Sequence, residues 1–250
     1  MAMTLEDGGK KLLESGYLAD VTVECGNRVW KLHKVVLVTR SEWFKAALSG
    51  DTQEAKDNKI VIRGQDPEHV DWIIIWIYTH RLEAPVLSNR ETMHQACLQL
   101  YLTADVFALA GLQKSLKTRI KHQMLLELSM TMDKFVPGKY YAHAADETKA
   151  AYIGFFRGVH EAFLEDIDWA KRQYVKFVAA TNYGLFCNNT FRDCCKEIPE
   201  YFDSLVDGFV ITATNPHWNA FVPLDNSHDA LLELFNAVNG VQNHRLMRED

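Results

Sequence analysis

Apolar and polar residues alternate in two short runs near the start of the chain. The run from Val21 to Cys25 places an apolar residue at every second position, and a second extended run covers residues 29–32. Period-two alternation is typical of a strand with one buried face. The Gly26-Asn27 pair between the runs tolerates positive φ and suits a two-residue connection. The pattern therefore predicts a β-hairpin.

The next segment is ambiguous by pattern alone. "KVVLVTR" at 34–40 contains β-branched residues that favour a strand, yet its length also suits a short buried helix. Ser41 can cap a following helix at 42–48, whose apolar residues share one stripe. The polar stretch at 49–58 interrupts the pattern, and "KIVIRG" at 59–64 predicts a third strand.

A more apolar helix is predicted after Asp66-Pro67. The aspartate can cap it and proline suits its first position. Val70, Ile73 and Ile77 recur at helical spacing and tryptophans widen the apolar surface, so this helix is expected to be buried. Further helices are predicted at 92–108 and within "LAGLQKSLKTRI".

The second half of the chain is predicted to be helical. Residues 135–149 mix proline, glycine and polar side chains, which is typical of a linker or long loop. Apolar stripes at helical spacing resume between residues 156 and 178, and a last helix is predicted at 226–240.

Composition and charge bear on the kinds of partner and on the cellular compartment that we expect. The formal charge is −6 over 250 residues, and no block of lysine or arginine stands out, so direct nucleic-acid binding is disfavoured. The start lacks the pattern of a signal peptide. The longest apolar run, at 72–78, is too short to cross a bilayer. Five irregularly spaced cysteines favour a reducing compartment. We expect an intracellular protein, in the cytoplasm, the nucleus or both, without membrane contact.

Motifs for catalysis or metal binding are sparse. The sequence lacks the common phosphate, dinucleotide, esterase and zinc-protease motifs. The carboxylates at 165–168 point in different directions on a helix and are better explained as a solvated helix end. His94 and Cys97 have the spacing of half a metal site, but no matching second pair occurs. We expect no enzyme activity, no metal and no cofactor.

Several motifs of the sequence, in the same order along the chain, resemble those of a known protein family. "LLESGYLADVTVECGNRVWKLHKVVLVTRSEWFKAAL" resembles the opening of a BTB/POZ domain, and "QEAKDNKIVIRGQDPEHVDWIIIWIYTHRL" and "LYLTADVFALAGLQKSLKTRI" are similar to its later segments. The matching positions in the opening are Asp20, His33, Lys34, Leu37, Arg40, Ser41 and Phe44. The chain departs from the family pattern at Phe107 and at Thr79-His80.

The resemblance implies an α+β fold, in which a three-stranded sheet caps a helical cluster and a small all-helical extension follows. It is most similar to the fungal type with a helical C-terminal extension. It implies a BTB/POZ domain at 12–125, a linker at 126–150 and an extension at 151–250, with a helix at 34–40. Asp20, His33, Arg40 and Ser41 would be structural motif residues, with His33 buried at the start of that helix.

The resemblance also implies protein interaction as the function. Leu12 and Leu13 lie where the family builds much of its dimer interface, so a homodimer is expected. Many members bind a cullin and present a substrate for ubiquitin transfer, and the triplet from Thr52 to Glu54 corresponds to their cullin contact. Glu54 fits, whereas Thr52 is a poor apolar anchor, which leaves cullin binding open. The alternatives are a self-associating scaffold and an indirect transcriptional regulator without its own DNA-binding domain, and the sequence does not identify a substrate.

Overall fold

The computed structural model describes residues 5–132, 145–180, 185 and 189–214. The chain forms two compact units. Unit 1 holds the described residues up to Asn89 together with Ala96–Lys117, and unit 2 holds Arg90–Gln95 together with the described residues from Thr118 onward. Among the described residues, no helix combines the length and the apolar character that a bilayer span requires.

Unit 1 contains a three-stranded sheet with the strand order β2-β1-β3. The strands are β1 at Val21–Cys25, β2 at Arg28–Leu32 and β3 at Lys59–Ile62. Strand β1 pairs antiparallel with β2 and parallel with β3, so that Val23 lies opposite both Trp30 and Ile60. The alternating apolar residues of β1 are buried on one face, as the pattern predicted.

Seven α-helices lie before, between and after these strands in residues 5–132. They are α1 at Leu5–Ser15, α2 at Lys34–Arg40, α3 at Glu42–Leu48, α4 at Gln53–Asp57, α5 at Pro67–Thr79, α6 at Met93–Val106 and α7 at Ala110–Met132. The ambiguous segment at 34–40 is therefore a helix. Neither α1 nor α4 was predicted by apolar periodicity. In α1, Gly9 lies against the backbone of Tyr78 in α5, where an additional Cβ would have no room.

Helix α5 and an aromatic cluster of Trp43 and Phe44 from α3 with Phe107 contribute to the core of unit 1. The Asp66 side chain caps α5 by accepting the Glu68 N–H at 2.7 Å, and most of the helix is buried. Phe44 stacks on Phe107 with ring centroids 5.5 Å apart, and Trp43 packs edge-on against both. The predicted α+β arrangement of a small sheet on a helical cluster is confirmed.

Unit 2 is built from helices in its described part. It contains the later residues of α7, followed by α8 at Ala145–Leu164, α9 at Asp168–Ala180, α10 at Asn189–Lys196 and α11 at Pro199–Thr214. Its core is aromatic, with Phe155, Tyr174, Phe191 and Tyr201 fully buried. The helix predicted at 226–240 lies outside the described residues. The domain boundaries at 12–125, 126–150 and 151–250 stay predictions; α7 reaches Met132 and α8 begins at Ala145.

Candidate protein-interaction surfaces

His33 lies between the end of β2 and the start of α2, and its side chain is buried. Its ring Nδ1 is 2.9 Å from the Tyr78 hydroxyl, and its ring Nε2 is 2.8 Å from the Tyr17 carbonyl oxygen. The backbone N–H of His33 donates to the same Tyr78 hydroxyl at 2.8 Å. Both ring nitrogens therefore have hydrogen-bond partners within unit 1.

The tautomer of His33 follows from these partners. The Tyr17 carbonyl can only accept, so Nε2 carries the proton, and Nδ1 of the neutral ring accepts from the Tyr78 O–H. Burial raises the pKa of Tyr78 to about 12; the nearby negative charge of Asp20 adds to this rise, and the hydrogen bond from the His33 backbone opposes it. Tyr78 is therefore a protonated donor at neutral pH.

The other three predicted motif residues lie at the two ends of α2. Asp20 accepts the Lys34 N–H at 2.7 Å and so supports the first turn. Ser41 follows α2, caps α3 by accepting the Phe44 N–H at 3.2 Å and donates to the Phe107 carbonyl at 2.7 Å. Arg40 is exposed and contacts the ring of His80 at the end of α5. Their structural importance stays a prediction.

An apolar surface lies beside the His33 hydrogen bonds. We define the N-terminal apolar surface as Tyr17, Leu18 and Val35, whose exposed fractions are 69%, 75% and 66%. Tyr17 is joined to His33 by the hydrogen bond above, and Val35 lies two residues beyond His33 in α2. Sequence reasoning singled out Leu12 and Leu13 instead, which are half-buried in α1. Their role as dimer residues stays a prediction.

The triplet from Thr52 to Glu54, which corresponds to the cullin contact of the family, lies at the start of α4, a helix that the sequence patterns did not predict. Thr52 is the N-cap of α4, and its hydroxyl accepts the Ala55 N–H at 3.1 Å and donates to the Ala47 carbonyl at 2.8 Å. The half-buried hydroxyl thus has its own partners inside the fold. Glu54 lies exposed in the first turn of the same helix.

His94 and Cys97, considered above for metal chemistry, lie three residues apart in α6 and are both buried. The ring of His94 has Nδ1 3.0 Å from the Tyr174 hydroxyl and Nε2 3.3 Å from Glu127. In the described ranges, no group of three or more His, Cys, Asp or Glu side chains is arranged to hold a metal ion. Hydrogen bonding within a helical core accounts for the buried position of His94.

A family model and several curated proteins match the first half of the chain. A family model for the BTB/POZ domain matches residues 10–124. Kelch-like protein 8 from Mus musculus is 34% identical over 92 residues, which cover 36% of this chain and 15% of that protein. Kelch-like protein 26 from Danio rerio is 31% identical over 104 residues, or 42% of this chain and 16% of that protein. The match to the solved BTB domain of zebrafish PATZ1 covers 49% of this chain and 98% of that chain at 16% identity, with a TM-score of 0.37.

The sheet order, the helices around it and the matched range together define a class of small α+β interaction domain. Residues 10–124 form a BTB/POZ domain. The chain aligns with less than a fifth of the length of the two Kelch-like relatives named above. The matched range ends within α7, so α8 to α11 lie outside the family match.

Proposed function

We propose that this chain is a non-enzymatic, intracellular interaction module that forms a homodimer through its BTB/POZ domain. The observation that carries the proposal is the N-terminal apolar surface. Three large apolar side chains, Tyr17, Leu18 and Val35, are more than half exposed on a domain of a family used for protein interaction. Exposed apolar side chains are a feature of many protein contact sites.

A homodimer is the simplest occupant of this surface. Most soluble homo-oligomers are two-fold dimers, in which each chain uses the same patch. Leu12 and Leu13 on the preceding helix α1 would extend the contact.

We further propose that the dimer can act as a cullin adaptor. The similarity to Kelch-like proteins supports this role, and the exposed Glu54 is available to a partner. The helices α8 to α11 would then form the substrate-facing extension of the fungal-type proteins that the sequence resembles. The substrate itself is an unknown protein.

A self-associating scaffold is the second candidate, and the geometry of Thr52 favours it. The Thr52 hydroxyl is engaged by Ala47 and Ala55, so the side chain contributes a single methyl group to any apolar pocket on a cullin. A scaffold would retain the dimer interface and recruit its partners through unit 2.

Two measurements on the full chain separate these possibilities. Sedimentation equilibrium at high micromolar concentration is expected to give twice the chain mass of 28.6 kDa, and a mass of one chain would overturn the dimer. A titration with purified cullin N-terminal domain at tens of micromolar then tests the adaptor role. Binding supports the adaptor. A dimer that binds no cullin supports the scaffold.

A further inference from the structure

The segment Arg90–Gln95, called the 90–95 segment below, belongs to the helical unit 2 although it lies inside the range that the BTB/POZ family model matches. The rest of unit 2 begins only at Thr118. The last residues of the segment form the start of α6. A short stretch from the interior of the BTB/POZ sequence is therefore a part of the C-terminal helical unit.

Two glycines of α8 let the 90–95 segment approach the backbone of this helix closely. A Cβ at Gly154 would lie 2.1 Å from the Arg90 carbonyl oxygen, and a Cβ at Gly158 would lie 2.5 Å from the His94 Cβ. Protein interiors are close-packed, so contacts this short leave no room for another residue type. Because positions four apart share one helix face, α8 presents a surface without side chains at both places.

Polar side chains on α8 complete the contact with the 90–95 segment. Arg157 donates to the Glu91 carbonyl at 3.3 Å. Gln95 donates to the Glu161 carboxylate at 3.0 Å, and Glu161 is buried. Arg157 and Glu161 follow Gly154 by three and seven residues, which is the spacing of one helix face. The segment is thus matched by shape and by hydrogen bonds along about two turns of α8.

His94 extends the contact to two further helices of unit 2. Its Nδ1 lies 3.0 Å from the Tyr174 hydroxyl in α9, and its Nε2 lies 3.3 Å from Glu127 in α7. Glu127 and Glu161 are both buried, and the adjacent residues His94 and Gln95 each contact one of them. A buried acidic group that loses a hydrogen-bond donor is costly. Removal of the segment would therefore destabilise the core of unit 2.

We propose that α8 carries an intrachain recognition site whose ligand is the 90–95 segment, so that the C-terminal helices form a stable unit only when the BTB/POZ sequence supplies this segment. Contacts with α7, α8 and α9 support the proposal, and they use both the main chain and the side chains of the segment. The inference does not depend on the homodimer or on cullin binding.

Hydrogen exchange on the full chain tests the proposal, because it shows which unit the 90–95 segment opens with. Gly154→Ala should raise the exchange rates of the segment and of α8 together by about 10-fold, since the added Cβ overlaps the Arg90 carbonyl. Gly111→Ala is the matched control, because its Cβ would meet nothing within 4 Å. Tyr78→Phe perturbs unit 1 and should leave the segment unchanged. A segment that follows Tyr78→Phe, or that ignores Gly154→Ala, would overturn the proposal.

A double-mutant cycle between Gln95 and Glu161 keeps the proposal testable if Gly154→Ala fails to fold. Gln95→Ala and Glu161→Ala should each raise the exchange rate of the segment. The double variant should raise it by less than the product of the two factors, because both changes remove the same hydrogen bond. Glu161→Gln keeps an acceptor oxygen and should retain most of the protection. Factors that simply multiply would contradict recognition of the segment by α8.

Discussion

The Tyr78 hydroxyl joins the backbone and the side chain of one residue, His33, at the same time. It accepts the His33 N–H at 2.8 Å and lies 2.9 Å from the ring Nδ1, to which it donates. A phenol on α5 thereby fixes the point where β2 ends and α2 begins. The same imidazole continues through Nε2 to the Tyr17 carbonyl, so three segments of unit 1 meet at one side chain.

We expect Tyr78→Phe to lower the free energy of unfolding by about 1–3 kcal/mol, because it leaves a buried N–H and a buried ring nitrogen without a partner. His33→Ala should cost a similar amount, because it leaves the Tyr78 O–H and the Tyr17 carbonyl without their partners on the ring. Urea unfolding measures both effects. Tyr17→Phe is the control, since the Tyr17 side chain is exposed and its carbonyl remains. Equal stability of Tyr78→Phe and the wild type would refute the structural role of this hydroxyl.

Alkaline pH is expected to destabilise unit 1 through the same hydroxyl. The pKa of Tyr78 is raised to about 12 in the folded chain, against about 10 in an unfolded one. Between these values the unfolded state has lost the proton and the folded state retains it, so stability is complete below about pH 10 and falls as pH rises towards 12. Urea unfolding at a series of pH values should show this fall.

Tyr78→Phe is the control for this decrease in the free energy of unfolding, because it lacks the hydroxyl that titrates. Its stability should decline less steeply between pH 10 and 12 than that of the wild type. Cys195 in unit 2, where burial raises the thiol pKa to about 12, contributes a decline that both proteins share. Identical slopes would contradict the assignment to Tyr78.

Thr52→Leu is expected to have opposite effects on stability and on cullin binding. Loss of the N-cap of α4 should lower stability by about 1 kcal/mol. The added apolar surface should tighten any cullin complex at about 25 cal/mol per Å² buried. Thr52→Ser keeps the cap and is the control for stability. Thermal unfolding and a cullin titration measure the two effects.

Glu54→Ala should weaken the same complex without removing the cap, because an exposed charge at an interface guides approach and register. If wild type, Thr52→Leu and Glu54→Ala all fail to bind a cullin at tens of micromolar, the adaptor role is abandoned in favour of the scaffold.

Gly158→Ala should destabilise unit 2 by about 1–3 kcal/mol through overpacking. A Cβ at this position in α8 would lie 2.5 Å from the His94 Cβ and closer still to the Tyr174 hydroxyl. Gly111→Ala is the matched helical control. Its Cβ would meet nothing within 4 Å, so helix propensity should make it neutral or stabilising. Thermal unfolding of both variants checks the contrast, and similar effects from both would contradict it.

Sequence patterns predicted the elements with a strong period or a clear cap. Period-two alternation identified β1 and β3, and Asp66-Pro67 located the start of α5. Helix α4 gave no such indication because none of its residues is buried, so it presents no apolar stripe. Helix α1 contains the pair Gly8-Gly9, and glycine lowers helix propensity. Of these two glycines, Gly9 is explained by the close approach of the Tyr78 backbone in α5.

The candidate site was predictable only in part, because its hydrogen bonds join distant positions. Resemblance to the family singled out His33, but no local pattern connects residue 33 with Tyr78 or with the carbonyl of Tyr17. The hydroxyl of Thr52 was judged against an apolar pocket, while its partners are the Ala47 carbonyl of α3 and the Ala55 N–H of α4, a helix that the pattern did not predict.

The central position of β1 has a consequence for the order in which the chain acquires its structure during synthesis. The hairpin of β1 and β2 is local and can close on a microsecond timescale once both strands are available. The parallel partner of Val23 is Ile60, which follows α2, α3 and α4. On the ribosome the second edge of β1 therefore stays open until the segment through Ile62 has emerged. In this nascent intermediate the edge of an apolar strand is unpaired and prone to aggregation. We therefore expect chaperone binding to matter most before Ile62 has emerged.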